Sequence, residues 1–159
     1  MRANIRPMTE HDKPAIMSIL KITPEFTPPE VVVAEEVIDC YLQDVHNSGY
    51  YALVAEADAR VVGYVCYGDT PLTTGTWDIY WIAVAPKKQG LGIGRDLLAS
   101  AEAEIRESDG RLVLVETSSK PGYERTRTFY HSQGYEVVSR IPDFYAPGDD
   151  RLTFQKRLR

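Results

Sequence analysis

A glycine-rich segment between a strand and a helix constrains this chain more than any other feature. Residues 84–95 read Val-Ala-Pro-Lys-Lys-Gln-Gly-Leu-Gly-Ile-Gly-Arg, between the β-type run Trp77–Ala85 and a helical pattern. Glycines let backbone N–H groups approach a ligand closely, and a helix N-terminus adds free donors and a positive dipole end. Lys87, Lys88 and Arg95 add positive charge. The segment therefore predicts an anion-binding loop, with a glycine-rich turn that binds nothing as the alternative.

The two common nucleotide-binding loops do not match this segment. A Walker A loop needs Gly-x4-Gly-Lys-Ser/Thr, and no Lys-Ser/Thr pair follows these glycines. A dinucleotide-binding fingerprint needs Gly-x-Gly-x-x-Gly, and the sixth position counted from Gly90 is Arg95. The anion is therefore expected to belong to another class.

Length and charge limit the other classes of protein. The 159 residues suit one domain, which we expect to span residues 1–159, and the composition is that of a globular protein. With 18 Lys+Arg against 23 Asp+Glu, the net charge is −5, which disfavours non-specific binding to nucleic acid. No apolar run approaches the ~20 residues of a membrane span, so no membrane association is expected. Residues 1–9 lack the apolar stretch of a signal peptide.

The cysteines and histidines indicate neither crosslinks nor metal. Cys40 and Cys66 cannot form a disulfide framework, and two reduced thiols fit a reducing compartment, so a cytoplasmic location is expected. His11, His46 and His131 are dispersed, without metal-ligand spacing to cysteines or carboxylates. We therefore predict no metal site.

Periodicity predicts the element order βααβββ followed by αβαββ. A hairpin is expected to join Tyr50–Glu56 to Arg60–Tyr67, because both runs are rich in Val, Tyr and Ala. The last two strands are expected at Tyr135–Ser139 and Leu152–Lys156, on either side of a loop over Pro142–Arg151. Antiparallel strands around a βαβ unit imply a mixed sheet with helices on both faces.

Two sequence blocks carry a resemblance to a known family. Gln89-x-x-Gly92-x-Gly94 follows Val84-x-Pro86, and Phe129-Tyr130-x-x-x-Gly134-Tyr135 lies about 40 residues later. Together they resemble the acetyl-CoA loop and the aromatic-Tyr-x-x-x-Gly-aromatic block of the GCN5-related N-acetyltransferases (GNAT). The resemblance implies an α/β (α+β) fold with a mixed, mostly antiparallel central sheet. About seven strands, including one splayed pair, would be flanked by about four helices.

The resemblance also implies an activity and a co-substrate. Members transfer the acetyl group of acetyl-CoA to a primary amine by direct attack in a ternary complex, with no metal and no acyl-enzyme on a cysteine. The acceptor would be a small-molecule or peptide amine, and a homodimer is common in the family. The alternative is a non-catalytic acyl-CoA-binding sensor or regulatory module on the same fold. The residues implied to hold the cofactor are Ile82, Val84, Gln89, Gly90, Leu91, Gly92, Ile93, Gly94 and Arg95, with Tyr123 at a position where the family often has Asn.

Catalytic roles follow from the same resemblance. Tyr130 matches the tyrosine that acts as general acid on the departing thiolate, although a helix tyrosine can also simply pack on the sheet. Asp78 matches the position of a carboxylate base in some members. Strand parity predicts that it shares one face with Tyr80, Ile82 and Val84. An exposed strand-end carboxylate is the alternative reading of Asp78. Glu116, near the end of the next strand, is the reserve candidate for the base.

Two segments are candidates for the acceptor site. Asp143–Asp150 holds two aromatic residues and three carboxylates, which suits a cationic amine, or else a Pro-Gly turn with solvated acids. Thr23–Glu36 is the second segment that could shape an acceptor pocket.

Overall fold

The computed structural model describes residues 2–159 and contains a seven-stranded sheet and four α-helices. The strands are β1 (Asn4–Pro7), β2 (Tyr51–Ala57), β3 (Arg60–Asp69), β4 (Thr76–Val84), β5 (Leu112–Ser118), β6 (Glu136–Ala146) and β7 (Asp149–Arg157). The helices are α1 (Lys13–Ile22), α2 (Pro28–Gln43), α3 (Ile93–Glu107) and α4 (Glu124–Ser132). Short 3₁₀ turns lie at Glu10–Asp12, Pro86–Lys88 and Pro121–Tyr123. The predicted fold class and element order are confirmed.

The strand order in the sheet is β1-β2-β3-β4-β5-β7-β6, and every neighbouring pair except one is antiparallel. The exception is β4 with β5, which are parallel because α3 connects them as a crossover. Their pairing covers only Thr76–Ile79 of β4 against Leu112–Val115 of β5. Beyond these residues the two strands diverge in the middle of the sheet, which is the predicted splay.

Two apolar cores lie on opposite faces of this sheet. Helices α3 and α4 cover one face, where Leu97, Ile105 and Phe154 are each 0% exposed. Helices α1 and α2 cover the other face, with Ile16 and Leu20 at its centre. Helices on both faces leave the central strands little contact with solvent, which matches the near-continuous burial of β3.

The start of α2 follows from its local sequence. Thr27 caps α2, since its Oγ1 accepts from the N–H of Glu30 at 3.4 Å and donates to Glu30 Oε1 at 2.9 Å. The two prolines after Thr27 occupy the first turn, where their missing N–H groups have no intrahelical partner to lose. Within residues 2–159, no helix has the length and apolar character needed to cross a membrane.

The prediction of a loop over Pro142–Arg151 is wrong. Strand β6 continues to Ala146, β7 begins at Asp149, and only Pro147 and Gly148 lie between them. All eleven residues of β6 are exposed, because this strand is the edge of the sheet and no helix packs on it. A strand without a buried face carries no apolar alternation, so its sequence does not distinguish it from a loop.

A buried polar cluster ties α3 to β7. Glu102 on α3 is 5% exposed and accepts from the Tyr135 hydroxyl at 2.7 Å. Lys156 Nζ donates to both Glu102 oxygens, at 3.0 and 3.1 Å, and to the carbonyl of Gln133 at 2.9 Å. The cluster therefore fixes the turn after α4, where the buried Tyr130 ring lies beside Tyr135.

Candidate active site

The gap between β4 and β5 exposes backbone hydrogen-bonding groups. The N–H of Ala85 donates to the carbonyl of Val62 on β3 at 2.8 Å, so every second residue of this part of β4 faces β3. Ile82 and Val84 alternate with those residues, and their N–H and C=O groups consequently point away from β3. No strand pairs with them there, because the β4–β5 ladder ends at Ile79. The gap therefore offers unpaired strand groups to a ligand.

The glycine loop opens onto the same gap. Gly90 and Gly92 have φ values of 79° and 88°, the left-handed conformation that glycine adopts without strain. Gln89 Nε2 donates to the Val84 carbonyl at 3.2 Å, which anchors the loop to the end of β4. The first intrahelical bond of α3 runs from Asp96 N–H to Gly92 at 3.0 Å, so the N–H groups of residues 93–95 have no partner within the helix. These are the donors that an anion needs.

A cleft of about 760 Å³ runs along the gap between the two strands; we call it the β4–β5 cleft. It is bounded by β4, the glycine loop, β5, α4 and the segment between α1 and α2. The predicted cofactor residues in its wall are Ile82, Val84, Gln89, Gly90, Gly92, Ile93, Gly94, Arg95 and Tyr123. Leu91 is not part of the wall, and its side chain is 44% exposed. The structure thus brings together all but one of the residues predicted to hold the cofactor.

Charged side chains of the cleft are segregated by element. The basic ones come from the glycine loop, α4 and the segment between β5 and α4: Lys88, Arg95, Arg125 and Lys120. The acidic ones come from the α1–α2 segment, the first turn of α2, and strands β5 and β7: Glu25, Glu30, Glu116 and Asp149. The glycine loop therefore suits a polyanion, whereas the acidic residues other than Asp149, which pairs with Lys120, suit a cation.

Sequence reasoning missed Arg125 in this wall. Arg125 precedes Phe129 by four residues, and Thr126 precedes Tyr130 by four, so all four share one helix face. That periodicity was the available signal. Lys87 and Arg127 are absent from the wall; the Arg127 guanidinium instead donates to the carbonyls of Ser118 and Lys120, each at 2.8 Å.

Tyr130 packs on the sheet and also lines the cleft, so its packing is compatible with the proposed position at the site. It is 3% exposed, and its ring lies 5.2 Å from Phe129, 5.6 Å from Tyr135 and 6.1 Å from Phe154. Its hydroxyl has no hydrogen-bond partner among residues 2–159. Burial raises the pKa of Tyr130 well above that of a free tyrosine. The residue is therefore a neutral donor whose position the packing fixes.

Asp78 lies outside the cleft, and the prediction that it shares a face with Ile82 and Val84 is wrong. The β3–β4 register shifts at Tyr80, since Cys66 pairs with Trp81 but Tyr67 pairs with Ile79. This β-bulge reverses the alternation, so Ile82 and Val84 pack with the core under α3 while Tyr80 packs with the opposite core. Asp78 accepts a hydrogen bond from the Thr70 hydroxyl at 2.7 Å and is absent from the cleft wall.

Glu116, the reserve candidate, does line the cleft. It lies on β5 beyond the last residue paired with β4, where the two strands have separated. Its side chain is 51% exposed, and Oε1 lies 3.7 Å from Nη1 of Arg151. The structure therefore brings Glu116, and not Asp78, into the cavity that Tyr130 lines.

Tyr123 closes one end of the cleft by joining two distant segments. Its hydroxyl donates to the carbonyl of Glu25 at 2.8 Å, which links the start of α4 to the α1–α2 segment. The pKa of Tyr123 is raised mainly by burial and, to a smaller extent, by the nearby negative charge of Glu30. The residue at the usual Asn position thus holds the wall of the cleft.

The two cysteines are absent from the cleft wall. Burial raises the pKa of the Cys66 thiol to about 12, which suppresses the nucleophilic thiolate. Cys40 is exposed on α2. Over residues 2–159, no group of three or more His, Cys, Asp or Glu side chains is placed to hold a metal ion.

Comparison with known proteins agrees with this geometry. The sequence model described as "Acetyltransferase (GNAT) domain" matches residues 48–137, more than half of the chain. An uncharacterized N-acetyltransferase of Methanocaldococcus jannaschii is 32% identical over 107 residues. That match covers 65% of this chain but only 64% of the relative.

Solved structures extend the likeness to nearly the whole chain. A protein from Desulfovibrio desulfuricans, described as a GNAT-family acetyltransferase, is 37% identical with a TM-score of 0.96. That comparison covers 99% of this chain and 100% of the other. An aminoglycoside 6'-N-acetyltransferase complexed with coenzyme A has a TM-score of 0.77 over 98% of this chain and 97% of its own, but at 17% identity it shows the fold alone. The glycine loop, the splayed strands and the family match lead to one conclusion: this chain belongs to the GNAT acetyltransferase family.

Proposed function

We propose that this protein is an acetyl-CoA-dependent N-acetyltransferase that acts on a primary amine by direct attack in a ternary complex. The observation that carries the proposal is the splay of β4 from β5. It opens onto one cavity the backbone groups of Ile82 and Val84 that pair with no strand, together with the glycine loop and the buried Tyr130. The coenzyme A named for one structural neighbour supports the same choice of co-substrate.

The residues present fit acetyl-CoA. Left-handed glycines at 90 and 92 and the free N–H groups at the start of α3 form a cradle for a pyrophosphate. Lys88 and Arg95 stand in the same wall and supply positive charge. The edge of β4 at Ile82 and Val84 would hold the amide-bearing arm by strand-like hydrogen bonds. Bound there, acetyl-CoA supplies an activated acetyl group as a thioester.

Tyr130 is the proposed partner of the departing thiolate. Even an unperturbed tyrosine, with a pKa of about 10, gives up a proton to a thiolate of pKa about 8.5 at a cost of roughly 2 kcal/mol. Burial raises the pKa of Tyr130 further, so complete proton transfer from this residue is less favourable still. We therefore assign it hydrogen-bond donation to the developing negative charge, which its partnerless hydroxyl allows.

Glu116 is the proposed base. An amine of pKa about 10.4 is mostly protonated at pH 7, and forming the neutral nucleophile costs roughly 4.6 kcal/mol. A carboxylate in the cleft accepts that proton directly or through one water. Glu116 meets this requirement by position, whereas Asp78 faces the opposite core and bonds to Thr70.

Thiol release from acetyl-CoA with a panel of amines tests the proposal. Tyr130→Phe should lower kcat by roughly 10²–10³-fold, while the affinity for acetyl-CoA stays within about twofold because the hydroxyl acts only on the leaving group. Binding of acetyl-CoA without turnover of any amine would contradict the enzyme and favour a sensor or regulatory module.

The assignment of the base has a matched pair of variants. Glu116→Gln should remove the acidic limb of the pH–rate profile, whereas Asp78→Asn, the same change outside the cleft, should leave that limb in place. If Asp78→Asn lost the acidic limb and Glu116→Gln kept it, Asp78 would be the base. If both variants kept the limb, neither residue would be the base.

A further inference from the structure

Glu25 is an unpaired carboxylate in the wall of the β4–β5 cleft. It lies on the segment between α1 and α2, where its own backbone carbonyl accepts from Tyr123. Its Oε2 is buried and has no hydrogen-bond partner among residues 2–159. A buried carboxylate oxygen loses its hydrogen bonds to water, and only another hydrogen-bond donor can replace them. The structure thus contains an acceptor whose donor is missing.

The other three carboxylates of the cleft are already engaged. Glu30 accepts from the Thr27 hydroxyl at 2.9 Å, and Glu116 lies 3.7 Å from Arg151. Asp149 accepts a hydrogen bond from Ser118, and Lys120 lies 3.7 Å from it. Glu25 is therefore the carboxylate of this wall that has no cationic or hydrogen-bonding partner among the described residues.

A second group in the same wall is also unsatisfied. Thr117 on β5 is 6% exposed, and its Oγ1 is buried without a hydrogen-bond partner among residues 2–159. Buried polar groups in native proteins are nearly always hydrogen-bonded, so an exception calls for an explanation. Two such exceptions in one cavity indicate that polar ligand groups occupy it when substrates are bound.

The group that meets Glu25 differs from the reacting amine. An attacking amine must be neutral, but a neighbouring carboxylate without other partners favours the protonated, charged form of an amine. Glu25 therefore suits a nitrogen that keeps its charge. The cleft wall also contains aromatic side chains, which suit the methylene groups and the charge of an alkylammonium: Phe26, Tyr80, Trp81 and Tyr145.

We propose that the acceptor is a small organic diamine, with one nitrogen delivered to Glu116 and the second, charged nitrogen held by Glu25. The proposal rests on the proposed function. An amino-acid acceptor is the alternative outcome of the test, because its carboxylate would meet a basic side chain of the wall such as Arg125.

Four amines of matched length test the acceptor class at saturating acetyl-CoA: 1,4-diaminobutane, 4-amino-1-butanol, butylamine and 4-aminobutanoate. The diamine should have the highest kcat/KM and 4-aminobutanoate the lowest. Glu25→Gln should lower kcat/KM for the diamine roughly 10- to 100-fold, the range for losing a charged hydrogen bond, and leave butylamine within about twofold. Glu107→Gln, the same change at an exposed position of α3 outside the cleft, should change neither.

Two results would overturn the inference: butylamine turning over as well as the diamine in the wild-type protein, or Glu25→Gln lowering both amines equally. A peptide N-terminus used in preference to all four amines would also overturn it. Calorimetric titration of 1,4-diaminobutane into the protein–CoA complex separates this inference from the proposed function. Glu25-dependent binding without turnover sustains the diamine site and refutes the transferase, whereas absence of binding refutes the diamine site.

Discussion

Replacing Gly90 by alanine should reveal what the left-handed turn of the glycine loop costs an ordinary residue. Gly90 has a φ of 79°, and a Cβ added there meets nothing within 4 Å. Steric overlap is thus absent, and only the backbone conformation resists the change. A left-handed conformation costs an L-residue about 1–2 kcal/mol.

That cost must appear in one of two measurable places. If the loop keeps its conformation without ligand, the free energy of unfolding falls by the full amount and the affinity for CoA is unchanged. If the free loop relaxes to a negative φ, stability is kept, but binding must restore the strained conformation, and the dissociation constant rises about 5- to 30-fold. If the free loop relaxes only in part, the cost is shared between stability and binding. The loss in unfolding free energy and the loss in binding free energy should then sum to about 1–2 kcal/mol.

Thermal unfolding and calorimetric titration with CoA measure the two terms. A full loss in stability corresponds to a fall in Tm of about 2–8 °C for a chain of this size. Gly122→Ala is the matched control, because Gly122 has no positive φ and also meets nothing within 4 Å. It should leave the affinity unchanged and at most raise the stability slightly, by reducing the entropy of the unfolded chain. If Gly90→Ala matched this control in both measurements, the cradle described for the loop would be wrong.

Two further predictions concern the ion pairs of the cores. Lys156→Met should destabilise the protein by about 3 kcal/mol in urea unfolding, because it leaves Glu102 buried with only the Tyr135 hydroxyl. Replacing Glu102 by Leu in addition should recover most of that loss, and a single-variant loss below about 1 kcal/mol would contradict the reasoning. Asp12 is 5% exposed, and its pKa is lowered chiefly by hydrogen bonding to Arg6. The ionised carboxylate therefore stabilises the fold fully above the unfolded-state pKa of about 3.9. This stabilisation is lost as pH falls through the lowered pKa of the folded protein. Asp12→Asn should therefore lower Tm at pH 7 and progressively less towards pH 3, and an equal loss at both pH values would be inconsistent with the ion pair.

Local signals predicted the parts of the molecule that depend on a few consecutive residues. The glycine loop is such a part, because its left-handed turns and the free N–H groups at the start of α3 need only residues 89–95. The start of α2 at Thr27 and the turn at Gly134, with a φ of 91°, follow from the same kind of local chemistry. These signals, with the order of elements, led to the correct family and fold.

Long-range pairing decided the rest. The bulge at Tyr80 arises from the register between β4 and β3, and this one extra residue places Asp78 on the opposite face from Ile82 and Val84. Strand β6 is a strand because β7 pairs with it, not because its own residues alternate.

The set of residues that lines the cleft also depends on long-range pairing. Glu25 and Glu116 are 91 positions apart in the sequence, and no local pattern relates them. They share a cavity because α3 forces β4 and β5 to run parallel, the two strands part after Ile79, and Tyr123 holds the α1–α2 segment over the opening. Local sequence signals were enough to predict an anion-binding loop at the start of α3. Which carboxylates line the same cleft could be learned from the fold alone, because their positions depend on strand register and helix packing between distant segments.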